Sequence, residues 1–433
     1  MPALLSFDQS PPLAASLRFF LTAPLFAILA GILLLWSGPD SLASRWTPAV
    51  LALTHLIAAG FMLQVMLGAM LQILPVVAGA NMARPLRVAT LVHGAITFGV
   101  LFLGAAFLTF SPALFKLAAI LLGAGISIFV ASAASALYGI ASPSPTIQGL
   151  KHALAGLTVT VGLGVAMSVS LGWSLDSPLL QLADIHLGWG FVAWGAVLLA
   201  AVAYVVVPMF QITPAYPDWF ERSFSLSALA AVALWTIAEW LQLDIAMALL
   251  GTVVVALAVL FAIVTLDIQR RSKRARFDAS QHCWRVAMLS ASAAGALWLA
   301  ASTLTAVGEW PAWPLLCGVL ALCGGFMSVI IGMLYKIVPF LIWLHLQNQG
   351  QQGRVPAPNM KKIIATRDMD RQMLAHFAAC ALLLLAVCWP VAFVYPAGIA
   401  LIVANGWLLL NLMSALAVHR AHLKKIKQVV GAP

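Results

Sequence analysis

Apolar residues run along the chain in blocks of about twenty or more, the length that one membrane-spanning helix needs. Short polar or proline-containing stretches divide the blocks. The pattern predicts helices over 17–37, 49–78, 87–110, 113–139, 149–172 and 184–209, then 223–242, 245–267, 285–307, 313–343, 372–394 and 397–418. Only the polar stretch from Glu239 to Asp244 separates the seventh from the eighth. The expectation is one all-α membrane domain over 1–433, with no sizeable folded part outside the bilayer. The first block is expected to stay as a helix rather than leave as a signal peptide. Asp8 and two prolines precede it, and no small-residue cleavage site follows at the right distance.

The apolar pattern also repeats. The second helix reads THLIAAGFMLQVMLGAMLQILPVV from Thr54, the sixth IHLGWGFVAWGAVLLAAVAYVVVPMF from Ile185, and the tenth LCGVLALCGGFMSVIIGMLYKIVPFL from Leu316. Their prolines, Pro75, Pro208 and Pro339, are 133 and 131 residues apart. Gly68 and Gly332 each stand seven residues before their proline, and Tyr204 and Tyr335 each stand four before theirs. His55 and His186 open two of these helices 131 residues apart, and the same step again lands on Cys317. Repeats of this kind signal a duplicated unit. The twelve helices divide into three four-helix units, about 17–139, 149–267 and 285–418.

Composition and charge sharpen the membrane reading. The chain is 63% hydrophobic and 8% charged, against about 45–50% and about 25% in soluble domains. With twelve spans, 21 of the 23 Lys and Arg fall on the side that holds both termini, leaving only Arg45 and Lys116 opposite. Basic residues mark the cytoplasmic side, so both termini are expected in the cytoplasm, in a bacterial inner membrane. The net charge of +10 then reflects topology and anionic headgroups. The basic loop Arg270 to Arg276 follows from the same rule, and no nucleic-acid partner is expected. The five cysteines form no C-x-x-C pair and lie mostly within spans, so neither a disulfide framework nor a zinc site is expected. No P-loop, G-x-S-x-G or H-E-x-x-H motif is present.

Twelve spans, cytoplasmic termini and three four-helix units resemble the haem–copper oxidase subunit I superfamily, a pseudo-threefold ring of helices. In that family the second helix carries a haem ligand near the outer face, where His55 stands, and the sixth carries a copper ligand, where His186 stands. The departures are plain. The seventh helix has no histidine between Ser223 and Leu243, and the tenth offers Cys317, Cys323, Met327 and Met333 in place of a His-x-His pair. The oxygen-reducing centre of the family cannot be assembled without those ligands. The chain looks more like a divergent relative, of the sort represented by the NnrS proteins linked to nitric-oxide stress.

An ionisable group inside a membrane is costly and marks a functional site. His55 and His186 are therefore the leading candidates as axial ligands of a haem b, with His93 as a further cofactor-binding candidate. Ala58, Ala59, Gly60, Gly188 and Gly190 leave room for a macrocycle, or equally serve close helix packing. His93, His152, His376 and His345 form an inner layer that suits a second haem or a quinone, or simply reaches interfacial water. His282, His419 and His422 carry no assignment. Met62, Met66 and Met70 lie beneath His55 and keep a copper site possible, although methionine also fills core gaps. Gln64, Gln72 and Asn81 point to a second helix that faces protein. Lys336 reads as a snorkelling residue or a proton-uptake group. The expected role is electron transfer, quinol-linked chemistry or nitric-oxide response, with the bilayer around it and a quinone or respiratory redox partner as the candidate partners. A channel or transporter and a non-catalytic assembly subunit are the alternatives, and oligomeric state is open.

Overall fold

A computed structural model describes residues 11–140, 144–353 and 355–430. Arg354 and Asp8, used above for orientation and the first helix, lie outside these residues. Among the described residues there is no strand, and twelve helices are long and apolar enough to cross a membrane. They are α1 (Leu13–Ser37), α2 (Pro48–Ala78), α3 (Pro85–Thr109), α4 (Pro112–Leu137), α5 (Pro145–Trp173) and α6 (Leu179–Gln211). The second half adds α7 (Asp218–Trp240), α8 (Asp244–Arg270), α9 (Ala279–Thr303), α10 (Trp313–Gln349), α11 (Thr366–Cys388) and α12 (Pro390–Val429). The protein is an all-α, multi-pass membrane protein.

Three departures from the predicted ranges share one physical cause. Helices α7, α9 and α11 begin earlier than hydropathy places them, because their first turns are polar. Asp218 and Glu221 open α7, Asp368 opens α11, and the Asp278 carboxylate accepts from the Gln281 amide at 3.1 Å to cap α9. Acidic groups there are favoured by the exposed amides and the helix dipole. The break between α11 and α12 falls at Trp389 rather than near Pro396, which lies inside α12. Pro390 starts the last helix, where its missing N–H costs nothing. The narrow gap between α7 and α8 is confirmed, with Gln242 at φ 52° making the turn.

Helices α2, α6 and α10 share a feature that no other described helix has. Each contains a π segment, Leu56–Leu63, Trp189–Ala196 and Leu320–Met327. Pro75, Pro208 and Pro339 each stand 19 residues beyond the first residue of their segment. Single π turns inside α-helices concentrate at functional sites. These three helices are also the most buried, with 67, 61 and 61% of their core windows inside the protein, whereas α3 to α5, α7 to α9, α11 and α12 reach at most 39%. Their π segments meet: a β-carbon on Gly195 of α6 would lie 2.8 Å from Phe326 of α10 and 3.0 Å from Met62 of α2. The chain closes on itself through α1 and α12, where Gly31 lies so near the Gly398 carbonyl that a β-carbon would sit 2.8 Å from its oxygen. Small residues make such approaches possible between helices that lipid does not drive together.

Candidate functional site

The loop from α1 to α2 is built from local hydrogen bonds. Gly38 takes φ 67° after α1, and the Ser41 hydroxyl donates to its carbonyl at 2.6 Å. The Thr47 hydroxyl donates to Ser41 O at 2.6 Å and accepts from Val50 N at 3.2 Å, which caps α2 ahead of Pro48. Arg45 in this loop reaches Asp184 of α6 at 3.0 Å, joining the starts of the two helices. His55 and His186 each stand seven residues after the first residue of their helix, or about 10 Å along the axis at ~1.5 Å per residue. Both fall just before a π segment.

The two histidines come together. Their ring centres are 6.4 Å apart and their planes differ by 20°. His55 Nδ1 is 2.8 Å from Leu51 O, one turn back on its own helix, and His186 Nδ1 is 2.9 Å from Thr160 O on α5. A carbonyl only accepts, so each Nδ1 carries the proton and each neutral ring keeps a free lone pair on Nε2. Neither Nε2 makes a hydrogen bond among the described residues, and neither is among the atoms that packing seals without a partner. This tether is the one that typically orients a metal-bound imidazole. An ion bonded at ~2.0–2.1 Å to one nitrogen of each ring, with that nitrogen about an ångström from its ring centre, places the centres roughly 6 Å apart when the bonds oppose each other.

Phe107 of α3 lies against the His55 ring, with centres 5.1 Å apart. Gly164 of α5 brings bare backbone to His186, where a β-carbon would sit 3.1 Å from Cε1. Two of the glycines expected to leave space do not. A β-carbon on Gly60 would strike Phe26 of α1 at 2.5 Å, and one on Gly188 would strike Trp235 of α7 at 2.9 Å. Both serve helix packing instead. Cys317, the third member of the repeat register, turns its thiol to Ala294 O on α9 at 3.6 Å rather than toward the pair.

His93 is not part of this pair. Its Nε2 lies 2.8 Å from the Thr22 hydroxyl on α1, whose own proton goes to Arg18 O at 2.9 Å. His93 therefore donates there, and that nitrogen has no lone pair for a metal. The inner histidines do not share one site either. His152 bonds Ser225 on α7 at 3.1 Å, and His376 bonds Ser328 on α10 at 2.8 Å. The Ser328 proton goes to Cys323 O at 3.3 Å, so His376 also donates. His345 instead approaches His419. Lys336 does not snorkel freely: its ammonium pairs with Asp278 at 2.5 Å, and Arg274 pairs with the same carboxylate. Burial pushes the Asp278 carboxyl up, but Lys336, the Gln281 amide and Arg274 outweigh it and hold the group below its ordinary value.

Sequence reasoning missed a polar column on α11. Asp368, Gln372, His376 and Cys380 follow at every fourth residue and so share one face. Tyr335 of α10 donates to Gln372 at 2.9 Å, and Asn411 of α12 donates to Tyr335 at 2.9 Å and to Asp368 O at 3.2 Å. Gln372 and His376 are fully buried. The four-residue spacing was the available signal. Gln64 of α2 is fully buried as well, donating to Thr97 at 3.1 Å, which agrees with an α2 that faces protein. Met62, Met66 and Met70 are buried in the apolar core.

Among the described residues no three His, Cys, Asp or Glu side chains converge on a metal-sized site. No protein-family model matches the chain, and no curated protein does.

Proposed function

We propose that this protein binds haem b between α2 and α6, with His55 and His186 as axial ligands, and serves electron transfer. The paired rings carry the reading: two imidazoles with tethered Nδ1 and free Nε2, their centres 6.4 Å apart. That donor set fits an iron held from both sides. A haem there would supply a one-electron centre whose potential follows from its ligands and burial. His55 and His186 would hold the iron from both sides, so electron transfer suits the site better than gas capture, quinol chemistry or oxygen reduction. Leu51 O and Thr160 O hold the rings in place, and Phe107 shields His55. Copper is the weaker choice, because Met62 meets the Gly195 backbone in close packing and the row of thioethers is spent on the core.

The chain is on this reading a divergent relative of haem–copper oxidase subunit I, built from three four-helix units. Support comes from three π segments at one distance from three prolines, on the three most buried helices of the repeat. Its place is a bacterial inner membrane, with both termini cytoplasmic, as the concentration of basic residues at the termini's end favours.

The test is the visible spectrum of the purified protein, as isolated and after addition of haemin. A Soret band is expected at one haem per chain, lost in His55→Ala and in His186→Ala at unchanged elution volume. A wild type that takes up no haem, or a band unaltered in both variants, overturns the assignment.

A further inference from the structure

At the opposite end of the bundle from His55 and His186, α10 and α12 bring two more histidines together, with a third close by in sequence. His345 and His419 have ring centres 5.1 Å apart and planes inclined at 56°. His422 follows His419 by three residues, on the same side of α12. Among the described residues none of the three rings makes a hydrogen bond, and Nε2 of both His419 and His422 is sealed from solvent without a partner. They are the only imidazole nitrogens so placed among the described residues, and an ion at the site is one arrangement that accounts for them.

The geometry suits a particular ion. Two imidazoles on one tetrahedral ion, bonded at ~2.0–2.1 Å, have ring centres roughly 5 Å apart, which is the spacing of His345 and His419. Their surroundings at first favour an anion, since Arg420, Lys424 and Lys425 are close in sequence. Those three residues are exposed, however, and their charge is spent on solvent. Imidazole is a good ligand for zinc, copper and nickel.

We propose that His345 and His419 hold a divalent transition-metal ion of the zinc type in tetrahedral coordination. His422 supplies a third nitrogen after a side-chain rotation, and water fills the last position. The site is separate from the α2–α6 pair and stands whether or not that pair binds haem.

The test uses the full chain without a polyhistidine tag, stripped with chelator and then titrated with Zn²⁺ by calorimetry and with Co²⁺ by visible absorption. One ion per chain and the intense bands of tetrahedral Co²⁺ are expected. His345→Gln and His419→Gln should each weaken binding at least about tenfold, and His422→Gln by a smaller factor. His55→Ala and His186→Ala should leave it unchanged. A wild type with no stoichiometric uptake, or uptake equal to that of the His345→Gln/His419→Gln double variant, overturns the proposal.

Discussion

His55 and His186 are held, whereas His345 and His419 are not. In the first pair each Nδ1 is bonded to a main-chain carbonyl, one from the same helix and one from α5, so both rings are fixed before any ligand arrives. In the second pair the rings meet each other, and no hydrogen bond among the described residues orients them. A tethered pair is preorganised and loses little entropy on ligation, which suits a permanently bound cofactor. An untethered pair can adjust to an ion and release it. The positions agree with this contrast. One pair lies just before two π segments on two of the most buried helices. The other lies past the apolar blocks of α10 and α12, beside the core residues Leu346 and Ile426.

Substitutions that damage one pair and spare the other test the contrast, and Gly156→Ala should have the largest effect. A β-carbon there would lie 2.3 Å from Ala193 O and 2.4 Å from its carbonyl carbon, both main chain in the π segment of α6. Helix α5 must move, taking the Thr160 carbonyl from His186. A loss of ~3 kcal/mol is expected, read as a lower Tm in detergent, with a weakened haem band and normal Zn²⁺ binding. An unshifted Tm would show that α5 does not lock the pair.

Asp278→Asn strikes the other end. It leaves Lys336 and Arg274 without a counter-ion, and their side chains are only 20 and 27% exposed. Breaking a fully buried pair costs about 3–5 kcal/mol, and partial exposure reduces the expected loss to about 2 kcal/mol. The Asp278 carboxyl is held below its ordinary value of 3.8. Its contribution is therefore complete above that pH and is lost as pH falls through the lower, folded value. Tm in wild type should fall more steeply in acid than in Asp278→Asn. The haem band at neutral pH should be the same in both.

Gly164→Ala should act more gently, by about 1 kcal/mol. Its β-carbon would meet the His186 ring at 3.1 Å, turning the ring and shifting the haem band without abolishing it. Arg45→Gln should be the mildest change. The Arg45–Asp184 pair is about two-fifths exposed, so a loss of at most ~0.5 kcal/mol is expected, with the spectrum unaltered.

The twelve spans were legible because a bilayer demands long apolar runs and punctuates them sharply. The meeting of His55 and His186 was legible through their shared register. What holds them was not, since a main-chain carbonyl at Thr160 leaves no mark in a sequence. The π segments were hidden for a similar reason: an apolar stretch reads the same whether its hydrogen bonds skip four residues or five. Gly60 and Gly188 were ambiguous because a small residue can admit a ligand or a neighbouring helix, and here Phe26 and Trp235 occupy the space. The second pair was missed at the helix ends. Hydropathy stopped the tenth helix at 343 and the twelfth at 418, just short of His345 and His419, whereas the helices continue to Gln349 and Val429. Polar last turns extend a helix beyond the lipid without any apolar signal.

Near-infrared magnetic circular dichroism of the oxidised, haem-loaded protein tests the central claim most directly, because it distinguishes two imidazole ligands from one imidazole and a thioether. The expected result is a bis-imidazole signature in wild type that becomes imidazole–thioether in His55→Met. A five-coordinate signature in wild type, or a bis-imidazole signature that survives His55→Met, would contradict the pairing of His55 with His186 on one iron.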